Sequence, residues 1–67
     1  MNGIEREKAE AARIEREFPG WAAWVGIDNM WHARRVGADP VPANRVRGED
    51  AQDLRDMIRG WIGRQPS

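Results

Sequence analysis

Pro19-Gly20 divides this chain into two kinds of sequence, and that division limits the fold more than any other feature. Ahead of it, residues 4–17 mix Glu, Arg, Ala and Ile with no Gly or Pro, so the backbone can close a continuous helix. Ile4, Ala11, Ile14 and Phe18 recur at spacings of seven, three and four, which places them on one stripe. Opposite charges at Glu10–Arg13 and Arg13–Glu17 each add a few tenths of a kcal/mol to such a helix. Proline lacks the donor that another turn needs and glycine tolerates the reversal, so the helix stops there. Beyond it the sequence turns apolar and aromatic. Residues 21–27 and 30–36 read as two strands, and Asp28-Asn29 between them tolerates positive φ, as a two-residue hairpin turn requires.

That hairpin sets Gly26 opposite Trp31 and Trp24 opposite Ala33, each large ring over a small partner. One face of the sheet then carries Trp21, Ala23, Val25, Ile27, Met30 and Val36, and the other Ala22, Trp24, Trp31 and Ala33. A short third strand follows at residues 43–47, after the loop from Gly37 to Pro42. Residues 49–63 form the last helix, with Ala51, Leu54, Ile58 and Trp61 at helical spacing and Met57 and Ile62 widening the face. Its acidic start (Glu49, Asp50, Asp53) and later arginines (Arg55, Arg59, Arg64) suit the helix dipole. The expected fold is a single α+β domain over residues 1–67, in the order α-β-β-β-α, with a three-stranded antiparallel sheet.

A chain of 67 residues buries only roughly 60% of the surface its unfolded form exposes, so the core is thin and wants extra support. There is no cysteine for a disulfide, and a lone histidine, His32, makes a structural zinc site untenable. Self-association or aromatic packing by the four tryptophans remains. Net charge is zero, spread as −1 over residues 1–20, +2 over 21–47 and −1 over 48–67. A neutral chain exerts no strong field on nucleic acid or membrane. No apolar run approaches the ~20 residues of a membrane span, and the charged segment from Met1 to Lys8 is unlike a signal peptide, so a cytoplasmic protein is expected. The richness in Arg, Ala and Gly suggests a GC-rich bacterial source.

Two apolar sheet faces covered by helices on one side only would leave an aromatic face for a second copy, another protein or stacked bases. The competing reading is a small core built from large side chains. Trp24 and Trp31 are the ring candidates on that surface, and Arg34, Arg35, Arg45 and Arg47 the charged ones. Guanidinium groups beside aromatic rings are parts of single-strand nucleic-acid platforms. They equally lie over indole faces or pair with helix carboxylates. Catalysis has few materials: Ser67 is the only serine, and there is no threonine, tyrosine or cysteine to serve with His32. The acidic pairs Glu49/Asp50 and Asp53/Asp56 fit a solvated helix face. No cofactor is expected. Gly60 and Gly63 flank Trp61 at a spacing that permits close helix approach.

Phe18-Pro19-Gly20-Trp21 with Trp24, then Trp31 with Ala33-Arg34-Arg35, and later Leu54 and Ile58, resembles a group of short actinobacterial proteins. These share a Pro-Gly-Trp hairpin start, an Ala-x-Arg strand end and a C-terminal Leu-x-x-x-Ile helix. The likeness spans about residues 18–60 and implies no activity. The element order is also similar to the double-stranded-RNA-binding fold and to HicB-type antitoxins, and the Gly48-Glu49-Asp50-Ala51 start with Leu54 is reminiscent of the latter. The RNA-binding family has a lysine cluster at the start of its second helix, where this chain has acidic residues that repel phosphate. The HicB sheet pattern and DNA-binding tail are missing. The expected function is a non-catalytic interaction or accessory protein, self-associating or binding a protein through an aromatic sheet face or the first helix. The alternative is a small nucleic-acid-binding regulator using the sheet Trp and Arg residues.

Overall fold

The computed structural model describes residues 3–39 and 41–65. Their order is α1 (Gly3–Glu17), β1 (Trp21–Val25), β2 (Trp31–Arg35), a 3-10 turn (Pro42–Asn44), β3 (Arg45–Gly48) and α2 (Ala51–Arg64). The strands form one antiparallel sheet in the order β1-β2-β3, so the α-β-β-β-α architecture is as expected. None of the described helices is long and apolar enough to cross a membrane.

Local chemistry explains the boundaries. The Phe18 N–H donates to the Ile14 carbonyl at 2.9 Å, and the chain then reverses through Gly20 at φ +91°, a conformation costly for other residues. α2 starts two residues later than expected because Asp50 is its N-cap, its carboxylate accepting from the Asp53 N–H at 2.7 Å. Asp53 in turn accepts from the Glu49 N–H at 2.9 Å, so one donor ahead of the helix and one in its first turn are satisfied reciprocally. Pro42 opens the 3-10 turn, which occupies the first positions of the expected third strand.

The hairpin differs from expectation by one residue. Val25 pairs with Trp31, Trp24 with His32, Ala23 with Ala33 and Trp21 with Arg35. The loop is three residues long: the Gly26 N–H donates to the Met30 carbonyl at 2.9 Å, and the Asn29 N–H to the Gly26 carbonyl at 3.0 Å. Asn29 takes the left-handed conformation at φ 63°, the usual ending of a three-residue hairpin loop. Because side chains alternate, a slip of one residue exchanges the faces of one strand relative to its partner. Trp31 and Ala33 therefore join Trp21, Ala23 and Val25 on the face toward the helices, instead of lying with Trp24.

Both helices cover that face. Ile14 from α1 and Leu54 and Ile58 from α2 are fully buried against Trp21, Ala23, Ala33 and Val46. Ala33, central in β2, is small enough for the helices to reach the sheet, and the larger Phe18, Trp31 and Trp61 close the sides. Trp61 meets Trp21 edge to face, with centroids 5.1 Å apart, and its indole N–H donates to the Ala43 carbonyl at 2.7 Å. β3 and α2 approach so closely at Gly48 that a Cβ there would lie 2.5 Å from the Leu54 nitrogen. The apolar stripes are narrower than expected, for Ile4, Met57 and Ile62 are exposed. Polar chemistry joins the helices instead: Arg55, largely buried, pairs with Glu10 and with Glu17 at 2.8 Å.

Candidate functional site

The face of the sheet turned away from the helices carries every second residue of each strand: Ala22 and Trp24, His32 and Arg34, Arg45 and Arg47. The pairing arranges them in two rows. One row is Ala22, Arg34 and Arg45; the other is Trp24, His32 and Arg47. β3 displays the alternation plainly, with Arg45 and Arg47 exposed and Val46 and Gly48 buried between and beside them.

Trp24 and His32 stack, with ring centroids 5.6 Å apart and planes 13° from parallel. The imidazole is fixed from the other end of the hairpin. Its Nε2–H donates to both oxygens of Asp28, at 3.0 and 3.1 Å, and the same carboxylate accepts from the Met30 N–H at 3.0 Å. Those bonds, led by the one from His32, hold the Asp28 carboxyl below the usual aspartate range. Gly26 makes the clamp possible, since a Cβ there would fall 2.8 Å from Asp28 Oδ1 and 2.9 Å from His32 Nε2. Beside the stack, toward β3, is a shallow hollow of about 260 Å³ lined by His32, Pro42, Arg45, Val46 and Arg47. On the β1 side a groove of about 270 Å³ runs between Trp24 and the first turns of α1.

Among the described residues the three arginines have no ion-pair partner. Among the described residues, the ion pairs are Glu10–Arg13, Asp28–His32, Glu10–Arg55, Glu17–Arg55 and Asp56–Arg59, and none includes Arg34, Arg45 or Arg47. Arg34 and Arg45 are direct cross-strand neighbours, a like-charge arrangement that weakens a sheet. Since the whole chain is neutral, this face, with three arginines and Asp28, sums to +2 and leaves −2 on everything else.

Of the six residues singled out in the sequence, four meet here: Trp24, Arg34, Arg45 and Arg47. The other two do not. Trp31 lies on the helix side, packed against the core, and Arg35 extends over the Trp61 ring, 5.1 Å from its centroid. The face also contains residues that sequence reasoning did not select, namely His32, Asp28 and Gly26. The only trace of them in the sequence is a carboxylate and a histidine four positions apart across a turn. No cluster of three or more metal-ligating side chains occurs among the described residues. Compared with known families, curated proteins and solved structures, the chain shows no significant match.

Proposed function

We propose that this chain is a non-catalytic binding module that engages a polyanion through the open face of its sheet. The observation that carries the reading is the set Arg34, Arg45 and Arg47, aligned on one exposed surface with no carboxylate partner, two of them in direct cross-strand repulsion. Nothing in the packing calls for that arrangement, and a bound anion relieves it. Four other arginines do have partners: Arg13 with Glu10, Arg55 with two glutamates, Arg35 with Trp61, and Arg59 with Phe18 and Asp56.

Self-association through this face is disfavoured by the same charges, because two copies face to face would bring six arginines together. The aromatic surface expected from the sequence is reduced to Trp24, since Trp31 lies among the core residues. The non-catalytic reading is supported by the poverty of nucleophiles: the sequence has one serine, Ser67, and no cysteine, threonine or tyrosine.

The test is binding of inorganic polyphosphate, followed as a function of salt. Three arginine contacts predict a slope of log K against log salt of about −2. The triple variant Arg34→Gln/Arg45→Gln/Arg47→Gln should lose both the affinity and the slope. Binding that ignores salt, or that survives the triple substitution, would remove the reading.

A further inference from the structure

We infer that the polyanion is a single-stranded nucleic acid, whose bases stack on the Trp24–His32 pair while its phosphates lie along Arg34, Arg45 and Arg47. This rests on the open face being an anion site and adds what kind of anion it takes.

Charge alone does not account for the ring pair. Trp24 and His32 lie on the side of the sheet away from the helix-packed core, with the first turns of α1 bordering Trp24 at one edge, and they are held nearly parallel, with Asp28 clamping the imidazole. Ordering a side chain at a surface is costly in entropy, so a half-exposed stack fixed by its own clamp reads as a prepared surface. Each ring turns one face to the other and keeps part of its surface accessible, 37% for Trp24 with His32 half-buried. His32 borders the hollow next to Arg45 and Arg47, and Trp24 borders the groove on the β1 side. A flat π-surface with cations a strand away is suited to a ligand that alternates planar rings with phosphates.

Other polyanions meet less of this chemistry. An acidic peptide offers carboxylates but no planar rings for the stack. A duplex presents phosphates outward and keeps its bases paired within, beyond reach of rings that stand on a sheet. Asp28, the carboxylate beside the stack, is already occupied by His32 and the Met30 N–H, so it leaves the surface positive. The two rows are about 7 Å apart and the three strands span about 10 Å, which limits contact to two or three nucleotides. With Arg34, Arg45 and Arg47 on phosphates and Trp24 and His32 stacking on bases, no side chain of this face is left to read a ribose 2′-OH or a base edge, so DNA and RNA should bind alike and with little sequence preference.

The experiment compares four probes by competition at fixed low salt: dT12, rU12, a self-complementary 12-mer duplex, and inorganic polyphosphate of matched charge, with poly-glutamate as a fifth. The expected result is that dT12 and rU12 bind within about twofold of each other and at least tenfold more tightly than the rest. Trp24→Ala should reduce dT12 affinity by roughly five- to a hundredfold, the range for losing one stacked base, and leave polyphosphate binding unchanged. Trp24→Phe should restore most of the loss, and far-UV circular dichroism checks that each variant is folded. In the wild-type chain, the Trp24 and His32 ring-proton resonances should move upfield with dT12 and stay in place with polyphosphate. If polyphosphate or poly-glutamate competes as well as dT12 and the ring protons do not move, base stacking is wrong while the anion site stands. Equal binding of the duplex also overturns the stacking. If none of the probes binds, the anion site falls with it.

Discussion

The two faces of the sheet are built from the same strands by opposite rules. Toward the helices, bulk is matched to space: Ala33 beneath the helices, Trp21 against Trp61, Gly48 where β3 nearly touches α2. Each of those side chains has a neighbour that accounts for its size. On the other face, Arg34 repels Arg45, and the Trp24–His32 stack has no layer above it. Residues that packing explains are there for the fold. Residues that oppose it, mildly and together in one place, are the ones the proposed anion binding would account for.

The largest effect should come from breaking the covered side. Trp61→Ala removes the edge-to-face contact with Trp21, the bond to the Ala43 carbonyl and the ring beneath Arg35. Large-to-small changes of this kind cost about 3–5 kcal/mol when the ring is fully buried; Trp61 is only partly so, and about 3 kcal/mol is expected. Thermal unfolding measures it, and an unchanged midpoint would mean that the ring does not close the core.

A smaller effect tests how the helices are joined over that side. Hydrogen bonding from Arg55 holds the Glu17 carboxyl below its ordinary value of 4.5. The unfolded chain therefore binds that proton more readily than the folded one. Stability from this pair is fully present above pH 4.5 and is lost as pH falls through the lowered value. Arg55→Gln should lower the melting midpoint at pH 7 by less than Trp61→Ala does, and the gap between variant and parent should close as pH falls toward 3. A gap that stays constant with pH would assign the loss to Arg55 packing rather than to its ion pairs.

Much of this contrast was legible in the sequence, and the rest was hidden for a specific reason. The break at Pro19-Gly20, the turn at Asp28-Asn29 and the Leu54–Ile58 periodicity are local signals, and all five expected elements lie within a few residues of those observed. The parity of Trp24, Arg45 and Arg47 along their strands is local too. Register is not local. Asp28-Asn29 serves a two-residue loop as well as the three-residue one, because Asn29 accepts positive φ in either. What distinguishes them is whether Trp31 and Ala33 face water or the helices, and that depends on residues more than 12 positions away in the chain. The same holds for Gly48 and Gly26, whose missing side chains matter only because of what the fold brings against them.

The smallest effect is the most discriminating, because its sign reverses between adjacent residues. Arg45 and Val46 are neighbours in β3, one exposed and one buried. A glutamate in place of Val46 would bring an unpaired charge into the core and unfold the chain. Arg45→Glu instead sets a carboxylate directly opposite Arg34, turning a repulsive cross-strand pair into an attractive one. Such pairs are worth roughly 0.2–1 kcal/mol, so this variant should melt slightly higher than the parent, by about 1–8 °C for a domain of this size. It should also bind polyphosphate and dT12 more weakly. Gain of stability with loss of binding is the signature of a residue retained for a ligand at the expense of the fold. If Arg45→Glu melts lower instead, Arg45 supports the sheet, and the contrast between the two faces loses its functional meaning at that position.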